Sequence, residues 1–478
     1  MTRREAIATF GAIAALPSLA MATTGDLRDD MAILRKALTL HPGLYRYSTE
    51  AEVNRRLEVL ERQFVGATTN EARYLAISRF LASIRCGHTY CNFFNQRDAL
   101  AAELFDRRTR LPFYFEWINR RMIVTADRTG MIAPGTEVVS INGVAATAML
   151  RALMPYARAD GHNDAKRVSL LGVNGRDRIE YFDVFQGLVF GARSDATHLL
   201  SLRLPNGDEQ QRQVPTLNLA DRRAQMAAGP TSKDAPRWQW QVRPDGIALL
   251  TMPSWAVYDS KWPWRQWLDD RLNTLAGAKG LIIDLRDNEG GLDCGDAILA
   301  RLATAPIADD GAERRVRFER TPADLDQYLD TWDKSFRTLG VGAAPSANGF
   351  YRLHAEQSGT VIAPAEPRLQ LPVAALIGPV NSSATFQFAQ KAQRNKLIRL
   401  IGEMTGGNQR GINGGAFFFV RLPASGIEFD LPLIGYFPPG LPPDAGLYPD
   451  VLVPRRPADI AAGRDAQMDA AVEWIGRA

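Results

Sequence analysis

The feature that most limits how this chain can fold is a series of four short apolar runs separated by helical stretches. They are residues 247–252 (IALLTM), 281–285 (LIIDL), 373–377 (VAALI) and 396–402 (KLIRLIG). Each is short for a helix, and none alternates cleanly between apolar and polar. Such a strand has two buried faces, which is the pattern of a parallel sheet covered on both sides. Helices are expected over 262–275, 294–302 and from about 383 to 395, with a closing helix at 463–477. The expected fold class is therefore α/β, with a mostly parallel core sheet.

The front of the chain reads differently. Leu34, Leu38, Leu57, Leu60, Phe64, Leu75, Ile77 and Phe80 recur at threes and fours, which predicts a helical module. Gly87 is a candidate stop for its last helix. From Leu111 the chain turns to short strands, LPFYFEWI and MIVTA, and then to PGTEVVSINGV with an Asn142-Gly143 turn. A second hairpin is expected to turn at Asn206-Gly207. Residues 224–236 read as a linker, and 312–353 as an insertion. The organisation expected is a helical module over 23–105, a β-rich region over 106–220, a linker over 221–237, a core over 238–457 and a C-terminal helix over 458–478.

Composition narrows the functional classes. The chain has 478 residues, 46% hydrophobic and 23% charged, enough for a sizeable core, and its net charge is +4. No run of five or six like charges points to nucleic acid, and no long apolar run points to stable membrane insertion. Residues 1–22 have the form of an export signal: Thr2-Arg3-Arg4, an apolar stretch over 6–19, and Ala20-Met21-Ala22 before a cleavage point. The paired arginines resemble a twin-arginine signal; a general secretory signal carrying two arginines is the other reading. Either predicts an exported protein, periplasmic in location. Cys86, Cys91 and Cys294 make no disulfide framework, although Cys86 and Cys91 could pair in an oxidising compartment. No Cys or His spacing fits a metal site, so neither metal nor cofactor is expected.

In a parallel sheet, ligands gather at the carboxyl ends of strands. Two loops there carry chemistry. Leu285-Arg286-Asp287-Asn288-Glu289-Gly290-Gly291 ends in a glycine pair, which can turn backbone N–H groups toward an oxyanion or simply make a tight turn. Asn381-Ser382-Ser383 opens a helix, where a serine is either an attacking group aided by the positive helix end or an N-cap.

Several motifs, in order, resemble the carboxy-terminal-processing and tricorn serine peptidase family. They are Gly280-Leu-Ile-Ile-Asp-Leu-Arg286 with Asn288 and Gly290-Gly291, then Asn381-Ser382-Ser383-Ala384, then Ile401-Gly402-Glu403-Met404-Thr405-Gly406-Gly407, and finally Tyr448-Pro449-Asp450-Val451. PGTEVVSINGV resembles the family's PDZ-like module, and Gly87-His88-Thr89 a motif upstream of it. The resemblance implies a crotonase-like (ClpP-like) core and hydrolysis of protein or peptide substrates through an acyl-enzyme.

The resemblance also implies roles. Ser383, followed by Ala384, takes the nucleophile's place and Ser382 the preceding small position. The oxyanion donors would be the N–H groups of Gly290 or Gly291 and of Ala384. Many members carry a lysine 25 residues after the serine; that position is Asn408, which cannot act as a base. Lys391 and Lys396 fall in other segments. The tricorn-like branch instead uses a histidine, and His88 stands at its place. An imidazole with an ordinary pKa of ~6.5 suits the task, while a lone histidine can equally cap a helix. The branch's acid falls on Pro443, which leaves Asp444 as candidate orienter, with Glu403 and Asp450 as further possibilities. No Gly-Leu-Gly-Phe-like carboxylate loop stands near 111–115. A non-catalytic peptide- or ligand-binding protein on the same scaffold, and a hydrolase of another ester or amide, are the competing readings.

Overall fold

The computed structural model describes residues 26–191, 196–226, 232, 234–308, 311–354 and 361–477. The expected export signal over 1–22 and part of the expected linker over 221–237 lie outside the described residues. Among the described residues, the fold is mixed α/β with three six-stranded sheets.

The apolar runs form the core sheet. Its order is Val451–Leu452, Arg399–Gly402, Val373–Ile377, Gly280–Asp284, Ile247–Thr251 and Gln239–Val242. All neighbours are parallel except the last pair. Alternation along each strand explains why the runs are apolar throughout. Ala248, Leu250, Leu281, Ile283, Ala375 and Ile377 pack against one helical layer, which includes Leu268, Leu272, Ile298, Leu299, Phe388 and Ala389. Ile247, Leu249, Ile282, Ala374, Leu376 and Ile401 face the other way, onto Ala471 and Ile475 of the closing helix Ala466–Arg477. Each buried Leu or Ile contributes roughly 1.5–3 kcal/mol, so one polar substitution on either face would be costly.

The second sheet is antiparallel, in the order Tyr114–Ile118, Arg121–Ala126, Glu137–Ile141, Thr197–Arg203 and Glu209–Pro215, with Val144–Ala145 paired to Glu137–Ile141. Asn142 and Gly143, both at positive φ, make the expected turn. The helices Ala146–Leu153, Asp164–Leu170 and Tyr181–Phe190 lie between the fourth and fifth strands in chain order.

A long hairpin, Asn413–Arg421 and Glu428–Phe437, was not anticipated from the sequence. It anchors the third sheet, which gathers strands from the expected insertion, including Glu313–Val316, Leu329–Asp330 and Phe350–Arg352. The apolar side chains of this hairpin share one continuous core with the N-terminal helices and the second sheet. Asp430 takes hydrogen bonds from Asn92 Nδ2 (2.8 Å) and Asn95 Nδ2 (2.9 Å), and its N–H donates to the Tyr90 carbonyl (3.0 Å). In this way the segment carrying His88 is fastened beside the core.

One local expectation is corrected. The helix Asn70–Ser83 ends at Ile84, followed by Arg85 at φ 62°, so Gly87 is not its stop. Gly87 is small for another reason: a Cβ there would stand 2.7 Å from Asp160 Oδ2. Cys86, Cys91 and Cys294 are free and buried, so Cys86 and Cys91 do not pair. Among the described residues, no helix is long and apolar enough to cross a membrane.

Candidate active site

Parallel register brings the chemistry together. Leu376 pairs with Asp284 and Ile377 with Gly402, so three loops leave the sheet side by side. Asn381 binds them to one another. Its Nδ2 donates to the carbonyls of Leu285 (2.5 Å) and Asn288 (2.9 Å) in the glycine loop. Its own carbonyl accepts from Gly406 (2.7 Å) and Gly407 (3.0 Å) in the third loop. That last approach needs glycine: a Cβ on Gly406 would lie 2.2 Å from the Pro379 carbonyl oxygen.

The two serines part company here. Ser382 is the N-cap of the helix Ser383–Arg394, yet its side chain does not cap; its Oγ donates to the Glu289 carbonyl at 3.1 Å. Ser383, the first helical residue, has φ 51°. A non-glycine residue held there carries strain of about 1–3 kcal/mol, a cost that recurs at functional sites. Ser383 and His88 line the same cleft, of about 940 Å³, together with Glu289, Gly290, Gly291 and Ala384.

The oxyanion candidates divide. Gly290 N–H donates to Asn288 Oδ1 (2.9 Å), so it is already engaged. Asn288 is itself fixed by Thr385 Oγ1 (2.7 Å) and by its own bond to the Met252 carbonyl (2.8 Å). Gly290 at φ 125° and Gly291 at φ 138° adopt conformations that L side chains avoid. Among the described residues no protein acceptor takes the N–H of Gly291 or of Ala384. Those two remain available to an anion.

His88 stands against Phe417, with ring centroids 5.7 Å apart. Its Nδ1 is sealed from solvent and has no hydrogen-bond partner, which leaves Nε2 to serve the cleft. Burial, then the nearby Arg158 guanidinium, lowers its pKa to about 4, against an opposing pull from Glu289. The ring is therefore neutral at pH 7, the form a base requires.

Asp444 does not orient it. The Asp444 carboxylate accepts from His162 Nδ1 (2.5 Å), the His162 N–H (3.0 Å) and Asn408 Nδ2 (2.7 Å). The side chain next to Pro443 is thus spent on a different histidine. Asn408 is fully buried and also reaches the Asp160 carbonyl at 3.2 Å. Asp450 is structural too, accepting from Gln393 Nε2 and the Leu400 N–H. Lys391 lies on the helix after Ser383 and pairs with Asp296 at 2.9 Å.

The sequence did not single out Arg158, Lys166 and Glu289. Glu289 Oε1 accepts from Arg158 Nη2 (2.9 Å) and Lys166 Nζ (2.7 Å). Burial alone would raise the Glu289 carboxyl, but these two cations hold it well below the usual carboxylate range. Nothing in the spacing of Arg158 and Lys166 marks them as buried.

Residues 246–426 match the model of the family described as Peptidase family S41. The solved structure of mature CPAF complexed with lactacystin is similar, with 16% identity over 95% of this chain and 97% of that one and a TM-score of 0.59. Mature CPAF alone gives 14% identity over 94% and 95%, with a TM-score of 0.58. At such identities the likeness is one of fold. No curated protein matches the chain.

Proposed function

We propose that this chain, whose residues 246–426 match Peptidase family S41, is a serine peptidase that cleaves peptide bonds with Ser383 as nucleophile and His88 as general base. Ser383 Oγ attacks the scissile carbonyl while His88 Nε2 takes its proton. The resulting oxyanion lies against the N–H groups of Gly291 and Ala384, at the positive end of the Ser383–Arg394 helix. His88 then returns the proton to the leaving amine. Water, deprotonated by the same imidazole, releases the acyl group and regenerates Ser383. The observation that carries this reading is the strained Ser383, in one cleft with His88 and beside two unengaged N–H groups.

Several finer assignments belong to the same reading. The parallel sheet and its crossover helices support a crotonase-like core over 238–457. The antiparallel sheet with its Asn142-Gly143 turn supports a PDZ-like unit within 106–220. The signal-like residues 1–22 support export to the periplasm. The substrate is a protein or an extended peptide. The cleft is wide, and its wall beside His88 is aromatic: Trp332 lies 5.9 Å from both Phe417 and Phe419.

A non-catalytic binding protein is the second reading, favoured by the unpartnered Nδ1 of His88. Casein hydrolysis by purified protein separates the two. Activity that falls at least about 10³-fold in Ser383→Ala, and about 10²–10⁴-fold in His88→Ala, supports the peptidase mechanism. No hydrolysis between pH 6 and 9 supports the binding protein. Full activity in Ser383→Ala with loss in Ser382→Ala would move the nucleophile by one residue.

A further inference from the structure

His88 comes from the front of the chain and Ser383 from its last third. Something must hold their loops in register, and the structure shows a continuous polar connection that does so. Arg158 Nη1 donates to the carbonyl of Gly87, the residue before His88. Its Nε donates to Tyr181 Oη at 2.9 Å, and its guanidinium lies 4.4 Å from the Tyr90 ring centroid. Its Nη2 reaches Glu289 Oε1 at 2.9 Å. The same oxygen takes Lys166 Nζ at 2.7 Å. Lys166 continues to the Val380 carbonyl (2.8 Å) and to Ser382 Oγ (3.4 Å).

We propose that Arg158, Glu289 and Lys166 are positioning residues: a bracket, its cations largely buried and its carboxylate 42% exposed where it lines the cleft, that fixes the His88 loop, the glycine loop and the serine loop against one another. The proposal rests on the reading of His88 and Ser383 as the catalytic pair. It adds that the segment between residues 145 and 197, which supplies both cations, governs whether that pair assembles.

Three features favour a bracket over incidental salt bridges. First, the cations are removed from water. Lys166 is 1% exposed, and its three N–H bonds find three acceptors, so it is fully committed. Second, the connection is repeated. Gly87 N–H donates to Asp160 Oδ1 at 2.8 Å, and Gly161 N–H to the Arg85 carbonyl at 2.9 Å, so residues 158–161 grip the His88 loop on both sides. Third, the cations are costly to bury. Buried ion groups are poor stabilisers compared with apolar side chains of the same volume, so Lys166 and Arg158 at this depth point to a role other than stability.

The charge arithmetic gives a test that a purely structural role would not pass. After burial, the charged groups acting on His88 from the elements around it are Arg158, Glu289 and Lys166. The measurement is the second-order rate of fluorophosphonate labelling of Ser383 against pH, on full-length protein checked for folding by circular dichroism. Arg158→Met and Lys166→Met are expected to slow labelling by about 10²-fold through loss of register and to move the acid limb to higher pH. Glu289→Gln is expected to slow it similarly but to move the limb to lower pH. Arg158→Lys keeps the charge and loses the fork, so it slows labelling with the limb in place; it also serves if Arg158→Met fails to fold. Folded variants that label at the wild-type rate overturn the bracket, as do limbs that shift in one common direction. Failure of the underlying reading looks different: His88→Ala would then label as fast as wild type whatever the bracket variants do.

Discussion

The Cβ that Gly290 lacks would stand 2.8 Å from the Cβ of Ser383. The glycine loop and the Ser383 loop therefore approach too closely for both to carry side chains. Gly290→Ala should push the serine loop, with its Ala384 N–H, away from the Gly291 N–H. Peptidase activity is expected to fall by about 10²-fold or more, the scale of losing an oxyanion donor. Steady-state kinetics would place the loss in kcat; an unchanged kcat would show that this contact does not set the site's geometry.

Buried neutral histidines oppose acid. Burial lowers His41 to about 3 and His88 to about 4. Between those values and the unfolded value near ~6.5, each of these histidines is more protonated in the unfolded chain than in the folded one. Their contribution to stability is therefore full above about pH 6.5 and is lost as pH falls toward 4. Burial raises Asp160 to about 6, Asp430 to about 7 and Glu180 to about 8, and these carboxyls act in the opposite direction over the same range. The histidine contribution is isolated by comparing urea midpoints of wild type and His41→Gln at pH 7.5, 5.5 and 4.5: the wild type should lose ground to the variant as pH falls. A difference that does not change with pH would contradict the account.

Asp444→Asn tests the corrected acid. A carboxylate that orients a catalytic histidine is worth about 10⁴ in kcat. Asp444 instead holds His162 and Asn408. The variant should keep activity to within about tenfold while losing roughly 0.5–2 kcal/mol of stability, the scale of one or two hydrogen bonds. A 10⁴-fold loss with an intact fold would restore Asp444 to His88.

The core was legible in the sequence because burial on both faces leaves a plain record. IALLTM, LIIDL and VAALI are apolar apart from Thr251 and Asp284 at the strand ends, and each became a core strand. The hairpin turns at Asn142-Gly143 and Asn206-Gly207 were legible because few other residues accept the positive φ found at Asn142, Gly143 and Gly207. The hairpin over 413–437 was not, because AFFFV packs into a core built from distant parts of the chain. The candidate site was legible at Gly290-Gly291, because a glycine pair marks backbone that L side chains avoid; Ser383 and His88 were proposed from the family resemblance, and the positive φ of Ser383 has no sequence signal. Arg158 and Lys166 could not be singled out. Their partners are a carbonyl at 87, a carboxylate at 289 and a carbonyl at 380, and no local pattern encodes contacts that remote. The acid was misjudged because proximity in sequence to Pro443 says nothing about which histidine Asp444 meets.

The aromatic wall beside His88 should shape specificity. Trp332, Phe417 and Phe419 line the cleft next to the His88 ring. Peptide libraries should show enrichment of large apolar residues near the cleaved bond. Trp332→Ala should weaken that preference and raise KM by about 10-fold, the scale of one aromatic contact surface. Unchanged library profiles would remove the wall from substrate recognition.

The most direct test of the central claim is to map, by mass spectrometry, the residue that a fluorophosphonate modifies in the wild-type protein, in Ser383→Ala and in His88→Ala. The account predicts a single adduct on Ser383 in wild type, none in Ser383→Ala, and labelling slowed by at least about 10²-fold in His88→Ala. An adduct on Ser382, or labelling of Ser383 at the full rate without His88, would contradict it.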